Sequence, residues 1–186
     1  MKATSVRTFD PNLKIETERL LLRPFTLADL DHFSLICADS EVMRFIGTGK
    51  PLDRETVQQQ MMSWIASYKE QGFGLLALTL KDNKNLLGFC GLLEQTVDGE
   101  LYIELGYRLE RASWGKGIAT EAAKAIRDYA FKQLGLTHLI SIIQIDNIAS
   151  KKVVQKVGME HLKRTHFKDV LVDVFHMKSN LECNTL

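Results

Sequence analysis

The sequence predicts an α+β fold: a mixed, mostly antiparallel sheet with helices on both faces. Three features carry this. Apolar residues recur at helical spacing over residues 53–70 and 118–134, the period of an amphipathic helix. Over residues 72–109 the period drops to two, and short polar turns separate the apolar runs, as in an antiparallel meander. "HLISIIQI" (residues 138–145) is apolar almost throughout, the mark of a strand buried on both faces. The resulting order is βααβββαβαββ.

Taken in order, residues 1–14 are polar, turn at Asp10-Pro11-Asn12, and read as a flexible arm. "RLLLRPF" (residues 19–25) is a short strand stopped by Pro24, and Thr26 with Asp29 forms an acidic capping box for a helix carrying Leu30, Phe33, Leu35 and Ile36. "GTGKP" breaks that helix. A second begins near Asp53 and turns Val57, Met61, Trp64, Ile65 and Tyr68 inward. "FGLLALTL" and "NLLGFCGLLE" pair across a tight turn at Asp82-Asn83, and the strand over residues 100–109 follows a turn at Asp98-Gly99. Along that strand Leu101, Ile103, Leu105, Tyr107 and Leu109 alternate with Tyr102, Glu104, Gly106 and Arg108. A carboxylate therefore stands mid-strand on a face that is either solvated or part of a site. The helix over residues 118–134 stops at Gly135 and the one over 148–157 at Gly158. Two final strands turn around Lys168-Asp169, so the domain spans residues 15–178, and 179–186 form a tail.

Composition narrows the function classes. A 186-residue chain that is 45% hydrophobic and 25% charged fits one soluble globular domain, and a net charge of +1 gives no pull toward nucleic acid or anionic membrane. No apolar run approaches the ~20 residues of a membrane span, and the N-terminus lacks a signal-like apolar segment. Cys37, Cys90 and Cys183 form no CxxC pair and read as reduced thiols of a cytoplasmic protein. The histidines show no ligand spacing, so no metal is expected.

The most informative stretch is "RASWGKGIATEAAKAIRDYA" (residues 111–130). Gly115 and Gly117 allow a tight strand-to-helix turn, and the small residues Ala119 and Thr120 leave the first backbone N–H groups of the helix open to an anion, with Lys116 and Arg111 nearby. Phosphate is the natural candidate. A nucleoside-triphosphate loop would need GxxxxGK[ST], which is absent. A dinucleotide fingerprint would need a third glycine or an alanine where Thr120 stands, and a parallel unit in place of the meander, although Asp146 is placed as a ribose-binding acid would be.

The third possibility comes from resemblance. "WGKGIA" resembles the acyl-CoA pyrophosphate loop, [QR]xxGx[GA], of the GCN5-related N-acetyltransferases (GNAT). "ELGYRLERASWGKGIATEAAKAI", "DNIASKKVVQKVGM" and "TERLLLRPFTLADL" are similar to the branch containing the ribosomal-protein N-terminal acetyltransferases. The likeness spans residues 15–177 in matching element order, with Trp114 standing where the pattern has Gln or Arg.

The resemblance implies a GNAT-like sheet splayed between its fourth and fifth strands, with acetyl-CoA as co-substrate and an amine acceptor. The acceptor would be a peptide N-terminus or a small amine. It implies that the N–H groups of Tyr107 and Leu109 hold the donor. Trp114, Gly115, Lys116, Gly117, Ile118, Ala119 and Thr120 would form the pyrophosphate loop, with Asn147 and Ser150 contacting the pantetheine arm. Glu104 is the implied base, because an amine with a pKa near 8 or 10 is largely protonated at neutral pH. Relatives often carry a tyrosine where Val154 stands, which leaves Ser150 as the substitute proton donor for the thiolate. Phe45, Trp64, Phe73 and Asp173 are the candidate acceptor residues. Direct transfer by a monomer or homodimer is expected, since neither Cys37 nor Cys90 lies in a nucleophile motif. A non-catalytic acyl-CoA-binding module would keep the loop but has no use for Glu104.

Overall fold

In the computed structural model, which describes residues 8–179, the chain forms one eight-stranded sheet with helices on both sides. Strands β1 (Ile15–Glu16) and β2 (Leu20–Pro24) lead into α1 (Leu30–Ala38), a single-turn α2 (Ser40–Met43) and α3 (Arg54–Gln71). The meander is β3 (Leu75–Leu80), β4 (Leu86–Val97) and β5 (Glu100–Leu109). Then come α4 (Ile118–Lys132), β6 (His138–Gln144), α5 (Ile148–Val157), β7 (Glu160–Phe167) and β8 (Val170–Lys178). Spatial order is β1-β2-β3-β4-β5-β6-β8-β7, antiparallel everywhere except between β5 and β6.

Local chemistry starts and stops these elements where the sequence predicts. The Asp29 carboxylate accepts the Thr26 N–H at 2.9 Å, and the Asp53 side chain accepts from Thr56 N–H at 2.8 Å to begin α3. Helices α3 and α5 end on left-handed Gly72 and Gly158. Positive φ at both Asp98 and Gly99, and at both Lys168 and Asp169, gives the two hairpin turns the twist that antiparallel strands favour.

The strands then sort side chains into two cores. On β3, Leu76 and Leu78 face α4 with Ile118, Ala122 and Ile126, while Leu75 and Ala77 face α1 and α3 with Phe33, Val57 and Met61. A third, smaller cluster joins Val97 at the β4–β5 tip to Ile140, Val172 and Val174 on β6 and β8. Asp98 fastens that tip to β7 through Lys163 Nζ (2.8 Å) and Thr165 Oγ1 (2.8 Å).

Several expectations are corrected. The arm is not free over its described part, because the Phe9 ring stacks on Tyr68 at 4.4 Å and Phe9 and Leu13 pack against the core; residues 1–7, 180–186 and Cys183 lie outside the described residues. The β3–β4 connection is not a tight turn at Asp82-Asn83. Lys84 N–H returns to the Leu80 carbonyl and the left-handed residue is Lys84, so residues 81–84 form a longer loop. Helix α4 ends at Lys132, before Leu134, and Gly135 turns the chain beyond it. The register between β3 and β4 slips on β4 beside Gly88, while β4 and β5 pair without a break. Arg108, expected on a solvated or site-lining face, is 8% exposed and sits between the Phe33 and Phe89 rings with Nη1 3.1 Å from Cys37 Sγ.

Asp173 illustrates how the last hairpin is held. It is 3% exposed, and its oxygens meet Lys151 Nζ at 2.6 Å, Arg164 Nε at 2.8 Å and His161 Nε2 at 3.2 Å. The hydrogen bond from Arg164, joined by Lys151 and His161 and opposed by burial, holds its carboxyl far below the ordinary carboxylate range. A depressed folded-state pKa stabilises at every pH above the unfolded value of about 3.9 and loses that stabilisation as pH falls below it. Asp173→Asn is therefore expected to lower unfolding free energy by about 3 kcal/mol at pH 7. Denaturant titrations should show the deficit shrinking only below about pH 4.

Candidate active site

The site grows from a defect in the sheet. Strands β5 and β6 share a single register pair, Glu104 opposite Ile140, and then part. Backbone groups that lose a ladder partner need another, and side chains supply some of them. Ser141 Oγ donates to the Leu105 carbonyl at 2.7 Å, and the Ile142 N–H donates to Glu104 Oε1 at 3.4 Å. The polar groups of Leu105 thus face β6, and by strand alternation those of Tyr107 and Leu109 face the same widening gap.

Glu104 stands where the strands part. It is half-buried, and Gln95 on β4 donates Nε2 to its Oε2 at 2.9 Å. Burial raises the carboxyl above its ordinary value, held back by the Gln95 and Ile142 hydrogen bonds and by the charge of Lys168 in the β7–β8 turn. A carboxylate poised upward in this way is suited to proton removal near neutral pH.

Beyond β5 the chain enters the loop singled out in the sequence. Gly115 and Gly117 have φ of 73° and 78°, in the left-handed region that favours glycine. A β-carbon at Gly115 would meet nothing within 4 Å, and one at Gly117 only Arg19 Nη2 at 3.6 Å, so torsion and not protein crowding selects glycine there. The N–H groups of residues 115–120 have no acceptor among the described residues. They form an open donor array at the start of a 15-residue helix, which adds its positive dipole end. Beside it, Gly117, Thr120, Lys124 and Lys156 line a shallow cleft.

The loop is braced from the turn between β1 and β2. Arg19 Nη1 donates to the Lys116 carbonyl at 3.1 Å and Nε to Glu121 at 2.7 Å, while Thr17 Oγ1 also donates to Glu121. Trp114 is 46% exposed and its indole Nε1 donates to the Leu109 carbonyl at 3.1 Å, which fixes its ring beside the loop. Laid on the pattern, WGKGIA puts the Gln or Arg position on Trp114, the invariant glycine on Gly117 and the small-residue position on Ala119.

Across the gap, Asn147 Oδ1 caps α5 by accepting the Ser150 N–H at 3.1 Å, and the Ser150 carbonyl accepts the Tyr107 hydroxyl at 3.1 Å. Burial pushes that phenol well above its ordinary value, which keeps it protonated. Val154 is fully buried in the α4-side core. The acceptor candidates do not converge. Phe73 is buried in the α4-side core and Trp64 packs against Phe33 and Phe89 in the α3-side core, on opposite faces of the sheet. Phe45 is half-buried in the loop after α2 with the Arg44 guanidinium over its ring, and Asp173 is engaged by Lys151, Arg164 and His161. Gln95, Ser141 and the Arg19–Glu121 brace escaped the sequence reading. Ser141 alone left a trace, as a polar residue inside an apolar run.

Comparison with known proteins places this geometry. Residues 19–160 match the acetyltransferase (GNAT) domain model. The uncharacterized protein YkkB of Bacillus subtilis is 30% identical over 171 residues, covering 89% of this chain and 96% of the relative. An acetyltransferase from Agrobacterium tumefaciens superposes with a TM-score of 0.76 at 27% identity, over 92% of this chain and 97% of the other. The ribosomal-protein-S5-alanine acetyltransferase of Vibrio fischeri shares the fold, with a TM-score of 0.75 at 15% identity over 91% and 98% of the two chains. With the family model matching most of the chain and a relative 30% identical over most of its length, the chain belongs to the GNAT family of N-acetyltransferases.

Proposed function

We propose that this N-acetyltransferase binds acetyl-CoA in the gap between β5 and β6 and moves the acetyl group directly to a primary amine, the α-amino group of a peptide chain. Glu104 carries the reading: a half-buried carboxylate with a raised pKa, at the point where the strands part. The free N–H groups of residues 115–120 and the nearby Lys124 and Lys156 suit the pyrophosphate and phosphate charges of the donor. The open space over Gly115 leaves room for that approach.

In this reading Glu104 takes the proton of the incoming ammonium, directly or through water, and so frees its lone pair. The Tyr107 N–H, which faces the gap, stabilises the oxygen that gains negative charge as nitrogen adds to the thioester carbonyl. When the C–S bond breaks, the second proton of the added nitrogen passes by way of the Ser150 hydroxyl to the departing thiolate, so that amide, thiol and serine are all left neutral, with the Tyr107 phenol held on the Ser150 carbonyl. Trp114 flanks the donor loop, and Phe45 is the one aromatic candidate left at the loop on the acceptor side.

Two measurements test the assignment. Glu104→Gln should lower kcat by roughly a hundredfold or more while leaving the CoA dissociation constant within about twofold. The wild-type kcat/KM, corrected for the acceptor's own ionisation, should fall as pH drops through a value above the ordinary glutamate pKa of about 4.3. That acidic limb should vanish in the variant. Gly117→Val forces a β-branched residue to φ of 78° and places it in the donor loop, so calorimetry should show CoA affinity reduced about tenfold or more.

A further inference from the structure

Gly106 is a glycine that the fold itself does not use. It is absent from the positive-φ residues, it pairs with Gly91 in unbroken register, and a β-carbon there would meet no atom within 4 Å. Its neighbours in the sheet differ. A β-carbon at Gly88 would lie 1.9 Å from the Arg108 carbonyl oxygen, and one at Gly91 would lie 2.3 Å from that of Gly74. A glycine inside a strand sacrifices backbone entropy and packs nothing, and one that neither torsion nor protein crowding demands marks the close approach of something else.

What approaches is set by the face. Glu104, Gly106 and Arg108 alternate onto the same side of β5, so the bare position adjoins the carboxylate, about 7 Å along the strand. Farther along the same side Arg108 is buried with its guanidinium over the Phe33 and Phe89 rings, which puts a positive charge at that end. Resting on the acetyl-transfer reading of Glu104, we infer that Gly106 is a specificity-determining residue. It makes room for the substituents on the acceptor's amine-bearing carbon. An α-amino group sits on a carbon that bears both a side chain and a carbonyl, and these need lateral space beside Glu104. The terminal methylene of a lysine or a polyamine bears only hydrogens and needs none. The Arg108 charge also disfavours an acceptor with a second ammonium at that end.

The test compares wild type, Gly106→Ala and Gly106→Val on two peptides, one with a free N-terminus and no lysine, the other N-terminally blocked with a single lysine. Because a β-carbon at residue 106 touches nothing, Gly106→Ala should keep the wild-type melting temperature, and it guards against misfolding in the larger variant by showing the same trend on the α-amine. Wild type should prefer the α-amine by about tenfold or more in kcat/KM, and Gly106→Val should abolish that preference through a loss of about tenfold or more on the α-amine alone, as a misplaced methyl or two can exact. CoA affinity should stay within about twofold. Equal losses on both peptides, no loss on the α-amine, or a parallel loss of CoA affinity would overturn the inference. A wild-type protein that binds CoA yet acetylates neither peptide would overturn the peptide α-amine reading on which the inference rests.

Discussion

The parting of β5 from β6 is the constraint on which the rest of the molecule depends. A continuous ladder would bury the polar groups of both strands in each other and leave no site. After the single pair of Glu104 with Ile140, the orphaned groups are answered by Ser141 and by Glu104 itself, at 2.7 and 3.4 Å, and the remainder of the gap is left with donors facing inward. Glu104 therefore has a structural and a chemical reason to be where it is: it occupies a vacancy in the sheet, and the same burial raises its pKa.

Holding two strands apart requires that each be fixed from behind. Strand β5 is anchored to β4 along its length and by the Leu105 and Leu109 contacts with α4, while β6 is anchored to β8. The long β4–β5 hairpin would otherwise be free to drift, and Asp98 ties its tip to Lys163 and Thr165 on β7. On the other side, Asp173 gathers cations from α5 and β7, which locks the first turn of α5 against the last hairpin. The glycine loop before α4 is set by the same logic, with Arg19 and Thr17 from the turn between β1 and β2 bracing Lys116 and Glu121. Residues far apart in the chain thus converge on the few atoms that a ligand would meet.

The two faces of β5 divide the work between partners. Ile103, Leu105, Tyr107 and Leu109 seal the core under α4, and Glu104, Gly106 and Arg108 on the other face form a sequence of carboxylate, bare backbone and buried guanidinium. Arg108 is costly in that position, because burial lowers its pKa and its Nε lacks a partner among the described residues. The tilted rings of Phe33 and Phe89 and the sulfur of Cys37 offset part of that cost.

What was legible in the sequence was everything governed by neighbours along the chain. Caps at Asp29, Asp53 and Asn147, glycines at positive φ in the donor loop, and period-two alternation along β5 all follow from local torsions and hydrogen bonds, and each is found in place. Even the tight turn misplaced at Asp82-Asn83 was a local error of a residue or two. The fates of Trp64, Phe73, Arg108 and Asp173 were not legible, since an aromatic or charged residue in sequence does not say which side chains from distant elements will surround it. By itself the sequence determined the elements, their order and the donor loop, because backbone sterics and periodicity act over a few residues. Only the tertiary structure decided that Glu104 lies half-buried between parted strands beside an empty Gly106, because burial and open space are properties of the assembled sheet.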